Sequence, residues 1–191
     1  MNPRDFLFRE SFYRDIQAIE AAPARLAAYD LLSCFGVTRE NRIEGYPIAP
    51  EIKEALALVL EPMFTSVAAP KQKREPNSFL FRENFYEALQ VIEDPSTRLA
   101  CYELLCEFGV SGVNGIGNHP IEPEKKTALA VILGHIFSSV EATKLRYERA
   151  VENGRKGGLK GGKLGGRGHK KQAPPPGQIG QEKNPNRMGV I

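Results

Sequence analysis

The side chains best equipped for chemistry crowd the C-terminal end of the chain. After Asn153 come Arg155, Lys156, Lys160, Lys163, Arg167, Lys170, Lys171, Lys183 and Arg187, against one acid, Glu182. Nine cations and one acid give this stretch +8, which leaves −5 of the formal +3 for everything before it. A mildly acidic body with a strongly basic arm is the charge division expected of a protein that meets a polyanion. Cations set between glycines supply phosphate contacts with little sequence preference, so Arg155, Lys156, Lys160, Lys163, Arg167, Lys170 and Lys171 are the candidate nucleic-acid-binding residues. With about six of them engaged on duplex DNA, log affinity should fall against log salt with a slope of about −5. No aromatic residue stands among them, which leaves stacking on single-stranded bases little to work with. Gly165 to Lys170 lacks the proline of an AT-hook, so groove reading by Arg167 is not expected.

Other arrangements point away from catalysis. GGLKGGKL, Gly157 to Leu164, has the glycine and lysine spacing of a phosphate loop. Leu164, however, stands where a hydroxyl must reach the magnesium ion, and a charged run rather than a buried strand precedes it. No serine, histidine and acid spacing forms a nucleophile motif and there is no H-E-x-x-H, so no catalytic residue, enzyme activity or cofactor is expected. Cys34, Cys101 and Cys106 read as free buried thiols, an odd count in a chain without an export signal. A zinc set of Cys101, Cys106, His119 and His135 has no CxxC or HxxxH pair and no counterpart earlier in the chain, so no metal is expected. No run approaches the ~20 apolar residues that span a bilayer, and the N-terminus lacks a signal sequence, so a cytoplasmic protein with no membrane partner is expected.

The elements that must carry the arm come from a repeat. FLFRESFY, Phe6 to Tyr13, returns as FLFRENFY, Phe79 to Tyr86, 73 residues on. RLAAYDLLSCFGV, Arg25 to Val37, falls on RLACYELLCEFGV, Arg98 to Val110, and PIAPEIKEALALVL, Pro47 to Leu60, falls on PIEPEKKTALAVIL, Pro120 to Leu133. The division is therefore 1–67 for a first helical repeat, 68–78 for a linker, 79–152 for a second repeat with a longer last helix, and 153–191 for the basic Gly- and Pro-rich tail. Arg9 with Glu10, and Arg82 with Glu83, recur in both copies and form a candidate partner surface; ion pairs that orient helices are the plainer reading of them.

Apolar spacing and end signals predict three helices per repeat. The first starts after Ser11 or Asn84, with Asn84 and Glu87 at capping-box spacing, and ends near Glu20 or Glu93. The second has Asp94 as N-cap before Pro95, and Gly36 or Gly109 as a left-handed stop. The third opens at Pro50 or Pro123, is kinked in the first copy by Pro62, and in the second runs to a stop at Asn153-Gly154. Phe-Leu-Phe ahead of the first helix is either extended or helical. A single unit of ~60 residues buries only about 60% of its unfolded surface, so the two are expected to pack about an approximate twofold axis. The fold class is all-α, a tandem duplication of a small three-helix unit with a disordered basic tail.

FLF-x-x-x-FY, RL-x-x-Y-[DE]-LL-x-x-FG, P-x-x-P-E and K-x-x-YE-x-x-x-ENG-x-KGG, the last at Lys144 to Gly158, together resemble an uncharacterised domain family of phage and prophage proteins. Its members usually carry one such unit followed by a helix and a basic glycine-rich end; this chain has two. The resemblance implies a role in phage DNA metabolism, which sets DNA ahead of RNA, and no known active site. The function expected is a non-catalytic accessory or regulator of phage DNA replication or transcription in the bacterial host cell. It would bind nucleic acid through the tail and an unidentified host or phage protein through the body. The alternative is an inhibitor of a host defence nuclease acting through the acidic body. Homo-oligomers are compatible with either reading.

Overall fold

The computed structural model describes residues 4–70 and 74–164, and side chains as far as Lys156. These residues are mostly helical. A strand β1 (Phe6–Arg9) leads into helices α1 (Glu10–Gln17), α2 (Ala22–Thr38) and α3 (Pro50–Ala68); a strand β2 (Ser78–Phe81) leads into α4 (Glu83–Gln90), α5 (Pro95–Ser111) and α6 (Pro123–Leu164). Each helix of the second half begins 73 residues after its counterpart, Glu10 answering to Glu83, Ala22 to Pro95 and Pro50 to Pro123. The described residues fall into two units, divided after Ala150.

Phe-Leu-Phe is a strand in both halves. The two pair antiparallel, Phe6 with Phe81, Leu7 with Leu80 and Phe8 with Phe79. Four residues cannot hold a strand alone, because their amide and carbonyl groups need a partner, and each half supplies the other's. The ladder is buried: Phe6, Phe8, Phe79 and Phe81 are at most 1% exposed. Phe6 meets Phe81 at 5.2 Å between ring centroids and Phe8 meets Phe79 at 5.4 Å. Around this ribbon α2 and α5 cross, and Tyr29 of α2 stacks on Tyr102 of α5 at 5.3 Å with the rings 4° from parallel. α3 covers α2 through Phe35 on Phe64 at 4.3 Å, and α6 covers α5 through Phe108 on Phe137 at 4.0 Å.

Several local expectations are corrected. Neither Ser11 nor Asn84 caps a helix: α1 and α4 start at Glu10 and Glu83, directly from the strands, with Arg9 and Arg82 in extended conformation and no side-chain cap. Strand pairing has already set the entry angle that a cap would otherwise choose. Gly36 and Gly109 do not stop helices. α2 and α5 continue to Thr38 and Ser111, and the left-handed residues are Arg39 (φ 66°) and Gly112 (φ 79°). Pro62, the residue expected to kink its helix, lies inside α3, which runs to Ala68. α6 passes Asn153 and Gly154 and remains helical to Leu164, so the first third of the expected disordered tail is a helix; 165–191 lie outside the described residues.

The expected cap at Asp94 is present. Its carboxylate accepts from the Thr97 amide at 2.9 Å and from Ser96 Oγ at 2.7 Å. Bonds from Thr97 and Ser96, with Lys125 beside them, hold the carboxyl well below the usual carboxylate range. The matching position, Ala21, has the same backbone, φ −71° and ψ 114° against −69° and 115°, but no side chain to cap with. Ala21→Asp should therefore stabilise the protein by about 1 kcal/mol. Its urea midpoint at neutral pH, set against the parent's, checks this, and an unchanged midpoint contradicts it.

α6 contains one segment, within Pro123–Lys156, long and apolar enough by composition to cross a membrane. This qualifies the expectation that no run comes near that length. Leu129, Leu133, Ile136, Phe137 and Val140 are buried in the core, while Val131 and Leu145 are exposed and 28% of the apolar window is buried.

Candidate functional site

Where α2 crosses α5 the contacts come in matched sets. Arg25 Nε lies 2.6 Å from Glu103 Oε1, and Arg98 Nη2 lies 3.4 Å from Asp30 Oδ2. Gln17 Nε2 donates to Tyr29 Oη at 3.0 Å and stands 3.5 Å from Glu103 Oε1; Gln90 Nε2 donates to Tyr102 Oη at 3.2 Å and to Asp30 Oδ1 at 2.9 Å. His119 Nε2 is 3.3 Å from Glu103 Oε2, and Tyr46 Oη donates to Asp30 Oδ2 at 2.7 Å. Every residue in one set has its counterpart 73 places away in the other. Contacts of the form i to j matched by j to i are those of an isologous interface.

Electrostatics follow from burial. Desolvation pushes the phenols of Tyr29 and Tyr102 well above their ordinary value, and Tyr46 is raised by burial and by the Asp30 carboxylate beside it. Burial alone lifts the Cys101 thiol to about 12, and Cys106 rises by the same cause, with Glu103 adding to it. These groups are protonated at neutral pH, so the cluster offers hydrogen bonds rather than a nucleophile. Among the described residues no three His, Cys, Asp or Glu side chains come together as metal ligands. Of the zinc set weighed above, Cys101 and Cys106 are buried in the core and His119 is engaged with Glu103.

Beside the Arg25–Glu103–His119 set lies an open groove of about 630 Å³, with Pro23, Leu26, Ile48 and Leu99 among its apolar lining. Sequence reasoning noted Arg25 and Arg98 as recurring but paired them with nothing. The available signal was the acid five residues on, Asp30 and Glu103, in the two RL-x-x-Y-[DE] phrases. Its partner choice was invisible because each arginine bonds the acid of the opposite half.

Each residue of the candidate partner surface also makes an internal contact. Arg9 Nη1 pairs with Glu75 at 2.6 Å and Glu10 accepts from Asn77 Nδ2 at 2.8 Å, holding the segment before β2 against β1 and α1. Arg82 Nη2 donates to Thr143 of α6 at 2.8 Å, and Glu83 pairs with Arg4.

Of the candidate nucleic-acid-binding residues, Arg155 and Lys156 are exposed on α6, and Lys156 pairs with Glu152 at 2.6 Å. Lys160 and Lys163 belong to the last turns of the same helix. Arg167, Lys170 and Lys171 lie outside the described residues. A cationic feature that sequence reasoning missed sits earlier on α6, where the Arg74 guanidinium covers the Tyr147 ring at 4.1 Å. Burial lowers the pKa of Arg74, and burial together with Arg74 lowers that of Lys144. Glu148 lies near both cations and Glu141 near Lys144, and both act against that lowering.

No family model, curated protein or solved structure matches this chain.

Proposed function

We propose that the protein is a non-catalytic nucleic-acid-binding accessory or regulatory factor, of the phage type that its motifs resemble, acting in DNA replication or transcription. The carrying observation is the charge division: nine Lys or Arg against one acid after Asn153, on a body of opposite sign. α6 spans Pro123–Leu164 and so includes the first part of the basic stretch. The body is read as a duplicated unit paired with itself, a dimer made covalent. The reciprocal Arg25–Glu103 and Arg98–Asp30 pairs and the self-complementary Phe ladder support this reading. Such a body serves as the platform for a protein partner, with DNA held by the arm.

The test is a binding titration on duplex DNA at low and moderate salt, using the full chain and a version ending at Asn153. The full chain should bind with a log–log salt slope of about −5, and the shortened chain at least about tenfold more weakly. Equal binding by both, or none by either, would remove the arm from the function and leave the inhibitor reading in its place.

A further inference from the structure

Between Asn153 and Leu164 the sequence NGRKGGLKGGKL is one continuous helix. That is unexpected from composition, since Gly154, Gly157, Gly158, Gly161 and Gly162 fall within those twelve residues. Each glycine in a helix interior disfavours it by about fourfold in equilibrium relative to alanine. So many glycines make this end of α6 a weak extension of the helix before it.

Helical geometry sorts these positions. At 100° per residue, Lys156, Lys160 and Lys163 follow one another at steps of four and three and share one face. Gly154, Gly157, Gly158 and Gly161 recur at three, one and three and share the opposite face, with Gly162 and Arg155 side by side at its edge. A chain that needed glycine only for looseness has no reason to keep lysine off the glycine face. The arrangement has a physical use. An α-helix with its side chains is about 10–12 Å across, close to the ~12 Å width of the DNA major groove. A face of glycines thins the helix, and positions 156, 160 and 163 fall together on the other face.

We infer that the segment 153–164 binds double-stranded nucleic acid as a helix, which the nucleic acid stabilises, with Lys156, Lys160 and Lys163 forming its contact row. This rests on the nucleic-acid reading above and makes it more specific: the arm engages a duplex in ordered form, not as an extended strand draped over phosphates. The glycines keep the helix weak in the free protein, so ordering is coupled to binding and affinity is held down by the cost of that ordering.

The experiment uses the full chain and a random-sequence DNA duplex. Gly157→Ala with Gly161→Ala changes the uncharged face only. It should tighten binding by about fifteenfold, near fourfold for each residue, because less helix has to be formed on the DNA. Gly158→Pro keeps every cation but breaks the helix, and should weaken binding by at least about tenfold. Both variants should keep the parent's salt slope and the parent's thermal unfolding, since neither charge nor body is touched. Far-UV circular dichroism should show helix gained on adding duplex. No gain for the double alanine variant and no loss for the proline variant, with the parent still binding, overturns the helical mode and leaves the arm in place. Failure of the parent to bind duplex at low salt overturns the nucleic-acid reading itself. Concentration-dependent association of the alanine variant without tighter DNA binding would assign the glycine face to self-contact and also overturn the inference.

Discussion

Gly109→Ala should destabilise the protein by about 3 kcal/mol or more, although the position lies inside a helix, where alanine is ordinarily preferred by about 1 kcal/mol. An added Cβ would stand 2.2 Å from Phe79 Cδ1 and 2.3 Å from Cε1. That ring has no room to withdraw: Phe79 is 1% exposed, Phe8 packs on it at 5.4 Å and Phe81 at 6.2 Å. Either the β1–β2 ladder or the helix must move. Gly36→Ala meets the same obstacle in the other half, with Phe6 Cδ1 at 2.2 Å. The informative control is Gly112→Ala, the same chemical change three residues on. Nothing lies within 4 Å of its new Cβ, but φ is +79°, so only left-handed strain of roughly 1 kcal/mol applies. Urea denaturation of the three variants should rank Gly109→Ala and Gly36→Ala well below Gly112→Ala. A Gly109→Ala midpoint at or above the parent's would mean that Phe79 does not pack against α5.

The second large effect is expected at Glu103. Its carboxylate serves Arg25 at 2.6 Å, His119 at 3.3 Å and Gln17 at 3.5 Å, and is 16% exposed. Glu103→Ala leaves the Arg25 guanidinium, itself 21% exposed, facing the groove without its counter-ion. Stranding a buried charge costs about 3–5 kcal/mol; the residual water access here places the expected loss at about 2–3 kcal/mol. Most of it is the cost of the unpaired arginine, so the double variant Arg25→Ala with Glu103→Ala should lose clearly less than the two single losses added together. A double-mutant cycle by urea denaturation reads the coupling. Strict additivity would show that Arg25 and Glu103 do not act on each other and would weaken the case for reciprocal halves. Asp30→Ala, which strands Arg98, Gln90 and Tyr46, should behave in the same way.

Much of the helical framework was readable in the chain. Pro50, Pro95 and Pro123 mark the first residues of α3, α5 and α6, and Asp94 caps as its type predicts. These are signals that act within one turn of backbone. The glycine reading failed for a related reason. Gly36 and Gly109 stand near helix ends, where glycine most often means a left-handed stop, yet the demand on them comes from rings 30 residues earlier in the chain, Phe6 and Phe79. The stops fell instead on Arg39, a residue with no local preference for it, and on Gly112, three residues beyond the expected glycine. Of the site, the basic residues were legible by charge alone, and their helical arrangement to Leu164 was not.

From the sequence by itself came the repeated phrases, the helix starts, the apolar stripes and the separation of a cationic end from an acidic body. All of these are written in neighbouring residues or in the comparison of one stretch with another. Tertiary structure alone decided that Phe6–Arg9 and Ser78–Phe81 are strands, that Arg25 takes Glu103 and not Asp30, and that Gly36 and Gly109 exist to admit a ring. The physical reason is shared. A four-residue strand, a half-buried ion pair and a missing Cβ are each stabilised by atoms far away in sequence, and no local propensity records which atoms those will be.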